Sequence, residues 1–149
     1  MKFLLDTEHV TIIQYGNGTK YSTFKAYADR YLPGDIAHSV ISFQEQVGGA
    51  FKEINASRPE VMMKGYGRLQ KILNYYAPET VLPLTVLPFD PPAAQEFDRL
   101  RARGIHDKMV KTMDLRIASI ALSRGLTVLT SDVRHFGKVP GLVTEDWLR

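Results

Sequence analysis

Short unbroken apolar runs alternate along the chain with longer stretches of helical spacing. Phe3-Leu4-Leu5 is the first run and predicts a buried strand over 2–5 that stops at an acid, Asp6. A helix is predicted after Asp6, and Gly16-Asn17-Gly18 marks a turn. Phe24, Tyr27, Ala28 and Tyr31 fall at i, i+3, i+4 and i+7, one face of a helix closed by Pro33-Gly34. Residues 36–41 (IAHSVI) read as a second strand. Ser42 then reads as the cap of a helix whose apolar face is Val47, Ala50, Phe51 and Ile54.

Pro59 suits the first turn of the next helix, which repeats apolar positions at Leu69, Ile72, Leu73 and Tyr76. Residues 84–89 predict a third strand, inside the most hydrophobic stretch, 81–89. Asp90-Pro91 opens a helix that runs toward Gly104. TMDLRIASIALSRG is a largely apolar helix stopped by Gly125, and LTVL at 126–129 is a fourth strand. Leu142-Val143 is the candidate edge strand. Strands alternating with helices predict an α/β fold with a mainly parallel central sheet.

Such sheets bind ligands outside the carboxyl ends of their strands. Asp6 follows the first strand, and Asp132 follows the fourth. Glu45 is expected in the first turn of the helix after the second strand. Asp114 lies in the first turn of a helix that runs antiparallel to the strands, so it reaches the same rim. Each acid also has a purely local explanation. Asp6 can cap a helix, and Ser42 with Glu45 matches a capping box. Asp114 can answer its own helix dipole, and Asp132 can close an Asx turn. Four acids from distant segments on one rim favour a site.

Carboxylates gathered in a cleft repel one another unless cations neutralise them. Oxygen donors without Cys or ligand-spaced His suit Mg²⁺ or Mn²⁺. The chemistry that follows is phosphodiester hydrolysis by metal-activated water. Phosphatases with an aspartate nucleophile want Asp-x-Asp after the first strand, and the chain has Asp6-Thr7-Glu8. Receiver domains want an earlier acidic pair, which is not evident.

Composition narrows the class. The 149 residues favour one domain spanning 1–149, and 44% hydrophobic with 23% charged residues is ordinary for a globular protein. There are no cysteines, which removes disulfides, thiol nucleophiles and cysteine zinc sites and suits a cytoplasmic location. Asp6 and Glu8 interrupt the only N-terminal apolar run, so a signal peptide is not expected, and no run is long enough to span a membrane. The net charge of +3 permits a nucleic-acid partner without demanding one.

Four segments, LLDTEHV, ISFQEQVGG, TMDLRIASIA and VLTSDVRHFGKVPGLVTEDW, resemble in order and spacing the PIN-domain ribonucleases, specifically the VapC-like toxins of type II toxin–antitoxin pairs. The resemblance implies a three-layer α/β/α sandwich and an acidic quartet of Asp6, Glu45, Asp114 and Asp132 around Mg²⁺ or Mn²⁺. It implies endonucleolytic cleavage of RNA, a homodimer, and a small antitoxin that blocks the site. Thr7 and Thr130 match hydroxyl positions that support the acids. Departures are Lys111 where relatives commonly have Gly, Ser119 where Ala is frequent, and Asp132 where Asn is common. A non-catalytic RNA-binding or interaction module on the same scaffold is the alternative.

Lys108, Lys111 and Arg116 approach the third acid in sequence and are candidates for RNA phosphate contact. Arg99 to Arg103 read as a solvated face with local Glu96–Arg99 and Asp98–Arg101 pairs. His9 and His135 fall near the rim as structural residues. Glu8 is expected to face away from the acids. Met62, Met63, Tyr66, Tyr75 and Tyr76 are assigned to the core, and Trp147 to holding down the C-terminus.

Overall fold

A computed structural model describes residues 1–77, 84–106 and 108–149. The first three positions of the apolar stretch 81–89 lie outside the described residues. The elements are β1 (Phe3–Leu5), α1 (Thr7–Tyr15), α2 (Gly18–Ala28), β2 (Ile36–Ser39), α3 (Val40–Ile54) and α4 (Pro59–Tyr76). They continue with β3 (Thr85–Leu87), α5 (Pro91–Ala102), α6 (Thr112–Arg124), β4 (Thr127–Leu129), α7 (Val133–Phe136) and β5 (Thr144–Glu145). The sheet runs β3-β2-β1-β4-β5, and every pairing is parallel. The first strand in sequence is therefore central, with the two acid-bearing connections on either side of it.

Strand alternation builds two cores. Leu4, Ala37 and Val128 point to one face and pack with Leu100, Leu115 and Ile117 of α5 and α6. Phe3, Leu5, Ile36 and Leu129 point to the other and pack with Val10 of α1, Phe24 of α2 and Trp147. A parallel sheet covered on both faces needs such unbroken apolar runs, because neither side meets water. Fully burying a side chain such as Leu4 or Leu5 contributes about 1.5–3 kcal/mol. The result is a three-layer α/β/α sandwich, as the motifs implied.

Trp147 is buried and stacks on Tyr27 and Tyr31 at 5.7 and 5.3 Å between ring centroids, with Phe3 at 4.7 Å. Its indole N–H donates to Glu145 at 2.8 Å, which pins the tail beside β5. α3 and α4 pack closely because Gly65 presents no side chain. A Cβ there would lie 2.6 Å from the Ile54 nitrogen.

The structure differs from the sequence reading at the cap of α3, at the edge strand, at the third strand, which is Thr85–Leu87 and not 84–89, and on one face of α4. Ser39, not Ser42, caps α3, since its Oγ accepts from the Ser42 backbone N–H at 3.3 Å. The second strand therefore ends at Ser39, and Val40 and Ile41 start the helix. The edge strand is Thr144–Glu145 rather than Leu142-Val143, because the Val143 carbonyl accepts from Val128 and the Glu145 carbonyl from Thr130. On α4, Met62, Met63 and Tyr66 are exposed, not core. They occupy the flank of α4 turned from α3, and only one flank can be covered. Among the described residues no helix is long and apolar enough to cross a membrane.

Candidate active site

The four acids come from four connections at the carboxyl edge of the sheet. Asp6 follows β1 directly and is buried, its backbone N–H held by the Leu129 carbonyl at 3.0 Å. It caps α1, and its Oδ1 accepts from the His9 backbone N–H at 2.9 Å. The His9 ring packs in the core with Nδ1 also 2.9 Å from that oxygen. An ionised Asp6 requires that nitrogen to carry the proton and donate.

Asp132 repeats the device. It caps α7, accepts from the His135 backbone N–H at 3.3 Å, and meets His135 Nδ1 at 2.6 Å. Burial opposes ionisation of Asp132, but the side-chain and backbone hydrogen bonds from His135 outweigh it and hold the carboxyl below its ordinary range. The Asp132 N–H in turn donates to the buried Thr130 hydroxyl at 3.0 Å. An acid at the cap with His three residues later, Asp6-x-x-His9 and Asp132-x-x-His135, is the sequence signal that pairs each acid with a ring.

Glu45 lies in the second turn of α3, because the cap is Ser39. It therefore has no role in a capping box. Its Oε2 accepts from the Thr7 hydroxyl at the start of α1. Asp114 occupies the first turn of α6. Burial raises the Asp114 pKa to about 6, and the negative charges of Glu45, Asp6 and Asp132 add to that, while Lys111 opposes it. Three acids acting on the fourth place all of them in one electrostatic neighbourhood.

Only Lys111 of the three candidate cations is felt by Asp114. Lys108 is exposed, and the Arg116 guanidinium donates to the Met113 sulfur at 3.6 Å. Glu96 and Arg99 pair as expected, whereas Arg101 lies over the Phe97 ring. Glu8 does not face away. Its carboxylate accepts from Ser131, beside Asp132, and from Lys20 at 2.7 Å, so it ties α1 to the β4–α7 connection.

The donor set of carboxylates and hydroxyls fits Mg²⁺ or Mn²⁺ by its chemistry. Among the described residues no three Asp, Glu or His side chains are set to grip one ion directly. Asp6, Glu45 and Asp132 are instead turned toward His9, Thr7 and His135. Mg²⁺ commonly binds through one or two carboxylates and keeps several waters, so this spacing remains compatible with it.

The sheet order and the acid-lined carboxyl edge define a PIN-like α/β/α domain. The chain is 31% identical over 150 residues to a tRNA(fMet)-specific endonuclease VapC of Salmonella typhimurium, covering 99% of this chain and 98% of that protein. A VapC of the same name from Shigella flexneri is 30% identical over 115 residues, 76% of each chain. A chain of the crystal structure of DNA-bound VapBC from Salmonella typhimurium superposes with a TM-score of 0.67 and 26% identity, over 99% of this chain and 98% of that one. No protein-family model matches the chain. This chain belongs to the VapC family.

Proposed function

We propose that the chain is a Mg²⁺- or Mn²⁺-dependent endoribonuclease and the toxin of a toxin–antitoxin pair. The observation that carries the reading is Asp114, whose carboxyl is raised by burial and by three converging acids. A cation bound beside it would relieve the repulsion that raises it. Asp6, Glu45 and Asp114 are the residues that would hold the ion, and Asp132 completes the set.

A bound ion would polarise a phosphate oxygen and activate a water for attack on phosphorus. The protein's own part is placement. Thr7 orients Glu45, His9 orients Asp6, and Thr130 with His135 fixes the turn that carries Asp132. Lys111 is close enough to Asp114 to counter the charge of the acids, and it would offset their repulsion toward a phosphate.

RNA as substrate is supported by the names of the relatives, two of which are tRNA(fMet)-specific endonucleases, so initiator tRNA is the first candidate. A protein antitoxin is supported by the VapBC complexes among the structural neighbours. A homodimer would cover the exposed apolar side chains of α3 and α4, including Phe51, Met63 and Leu73. Purified protein should cleave tRNA or total RNA with Mn²⁺ present and stop with EDTA. Equal cleavage with and without EDTA would refute the metal-dependent reading, and binding without cleavage would favour the non-catalytic module.

A further inference from the structure

Beside the acids the surface changes sign. α1, α3 and α4 enclose a cleft of about 210 Å³ that is lined by Thr7 and Glu45 and continues to Tyr15, Arg68 and Lys71. Helical spacing explains the wall. Thr7, Thr11, Gln14 and Tyr15 share one face of α1 and carry the cleft roughly 12 Å from the acids. Arg68 and Lys71 are one turn apart on α4.

Part of the floor is a fixed amide network, beside Ile72. The Gln46 amide donates to Thr11 Oγ1 at 3.1 Å and to Gln14 Oε1 at 2.8 Å. Its oxygen accepts from Gln14 Nε2 at 3.0 Å and from the Tyr76 hydroxyl at 3.3 Å. Its hydrogen-bonding capacity is thereby filled, while among the described residues Gln14 keeps one N–H and one lone pair unengaged. At the outer end, the Lys71 ammonium sits 4.5 Å from the Tyr15 ring centroid and pairs with no carboxylate among the described residues. Tyr15 is 50% exposed. Arg68 lies across Gly49 to reach Glu53 at 3.1 Å.

An exposed ring, an uncompensated ammonium and a spare amide have a common use. They offer a base its face, its phosphate and its edge. Ile72 gives the lining an apolar edge, but the groups left to bond a ligand there are the Gln14 amide and the Lys71 ammonium, which suit a nucleotide better than an apolar peptide. At about 210 Å³ the cleft falls below the ordinary range of small-molecule sites, so it would take one part of a longer ligand. We propose that this cleft is the subsite for a nucleotide flanking the scissile phosphate of single-stranded RNA, with the base on Tyr15, its edge met by Gln14, and the phosphate held by Lys71. The inference rests on the ribonuclease reading above and names how that site selects its substrate.

The test uses a cleaved RNA carrying a single abasic ribose at each position around the cut. Cleavage by wild type, Tyr15→Ala and Lys71→Ala is compared, in single turnover for the abasic RNAs and in steady state for KM and kcat, with both variants altered at exposed side chains and checked by thermal melting. At one flanking position the abasic site should slow wild type at least tenfold and slow Tyr15→Ala less than threefold, since that ring is already gone. Lys71→Ala should raise KM at least fivefold with kcat within twofold, and should shallow the salt dependence by about one charge. Mn²⁺ affinity should stay unchanged in both variants. If wild type cleaves but every abasic position slows both proteins equally, the subsite is wrong and the ribonuclease reading survives. If wild type cuts no RNA with Mn²⁺ present, both fall. If both variants cut normally but no longer retain a co-expressed small protein partner, the cleft is a protein-docking groove and the subsite is overturned.

Discussion

Thr7 and Glu45 are 38 positions apart, and the Thr7 hydroxyl donates to the Glu45 carboxylate. The bond joins the first turn of α1 to the second turn of α3 and points one acid at the rim. Thr7 therefore supports Glu45 and not its sequence neighbour Asp6, which His9 holds instead.

Removing that hydroxyl should loosen the site more than the fold. Thr7→Val is expected to weaken Mn²⁺ binding about 10- to 100-fold, the usual effect of losing a group that orients a ligand. Thr7→Ser should restore most of it. Calorimetric titration of Mn²⁺ into the three proteins checks this, and equal affinities would remove Thr7 from the site.

Asp114 links pH to both metal and stability. Its folded pKa of about 6 exceeds the ordinary 3.8, so the folded state binds the proton more readily than the unfolded state. Without metal, this group lowers stability above pH 6, and the loss is relieved as pH falls through 6 toward 3.8. After allowance for solvent screening the effect is about 1 kcal/mol, or roughly 2–4 °C in Tm. Asp114→Asn should lack it, so in EDTA the variant should exceed wild type in Tm at pH 7.5 and match it near pH 4. Mn²⁺ affinity of wild type should run the opposite way and fall as pH drops below 6.

His38 acts with the other sign. Burial pushes its pKa from 6.5 to about 4, with a hydrogen bond to the Leu84 backbone pulling weakly upward. The folded state keeps the ring neutral, so its contribution is full above pH 6.5 and is lost as pH falls toward 4. In His38→Gln the slope of Tm between pH 6.5 and 4 should flatten, whatever its absolute stability. An unchanged slope would contradict the assignment.

How far the chain could be read in advance follows from what each feature depends on. β1 and its acid were legible, because a buried parallel strand writes itself as an apolar run and Asp6 ends it. The same holds for Asp114, one turn into a strongly apolar helix. The Ser39 cap was not legible. Ser39 and Ser42 are both good caps, and only pairing of β2 with β3 up to Ser39↔Leu87 decides between them. The cleft was hidden for a related reason. Gln14, Gln46, Arg68 and Lys71 are unremarkable singly, and only the packing of three helices brings them together.

Gly65 and Gly67 test the α3–α4 contact that forms one wall of that cleft. A Cβ at Gly65 would meet Ile54 nitrogen at 2.6 Å and the Ala50 oxygen at 2.9 Å, both backbone atoms. Gly65→Ala should destabilise by about 1–3 kcal/mol or more through overpacking. A Cβ at Gly67 meets nothing within 4 Å. Gly67→Ala should be neutral or stabilise by about 0.5–1 kcal/mol. Urea melts of the pair measure the difference, and equal effects would mean that the helices do not pack this closely.

The converging acids are proposed to form a metal-dependent ribonuclease site. Its most direct test is the rate of RNA cleavage by wild type and Asp114→Asn at pH 7.5, each with Mn²⁺ and with EDTA. Asp114 is half-exposed in the first turn of α6, so the isosteric variant should fold. The account predicts cleavage by wild type with Mn²⁺ alone, and a loss of at least a hundredfold in Asp114→Asn. Cleavage by Asp114→Asn at the wild-type rate, indifferent to EDTA, would contradict it.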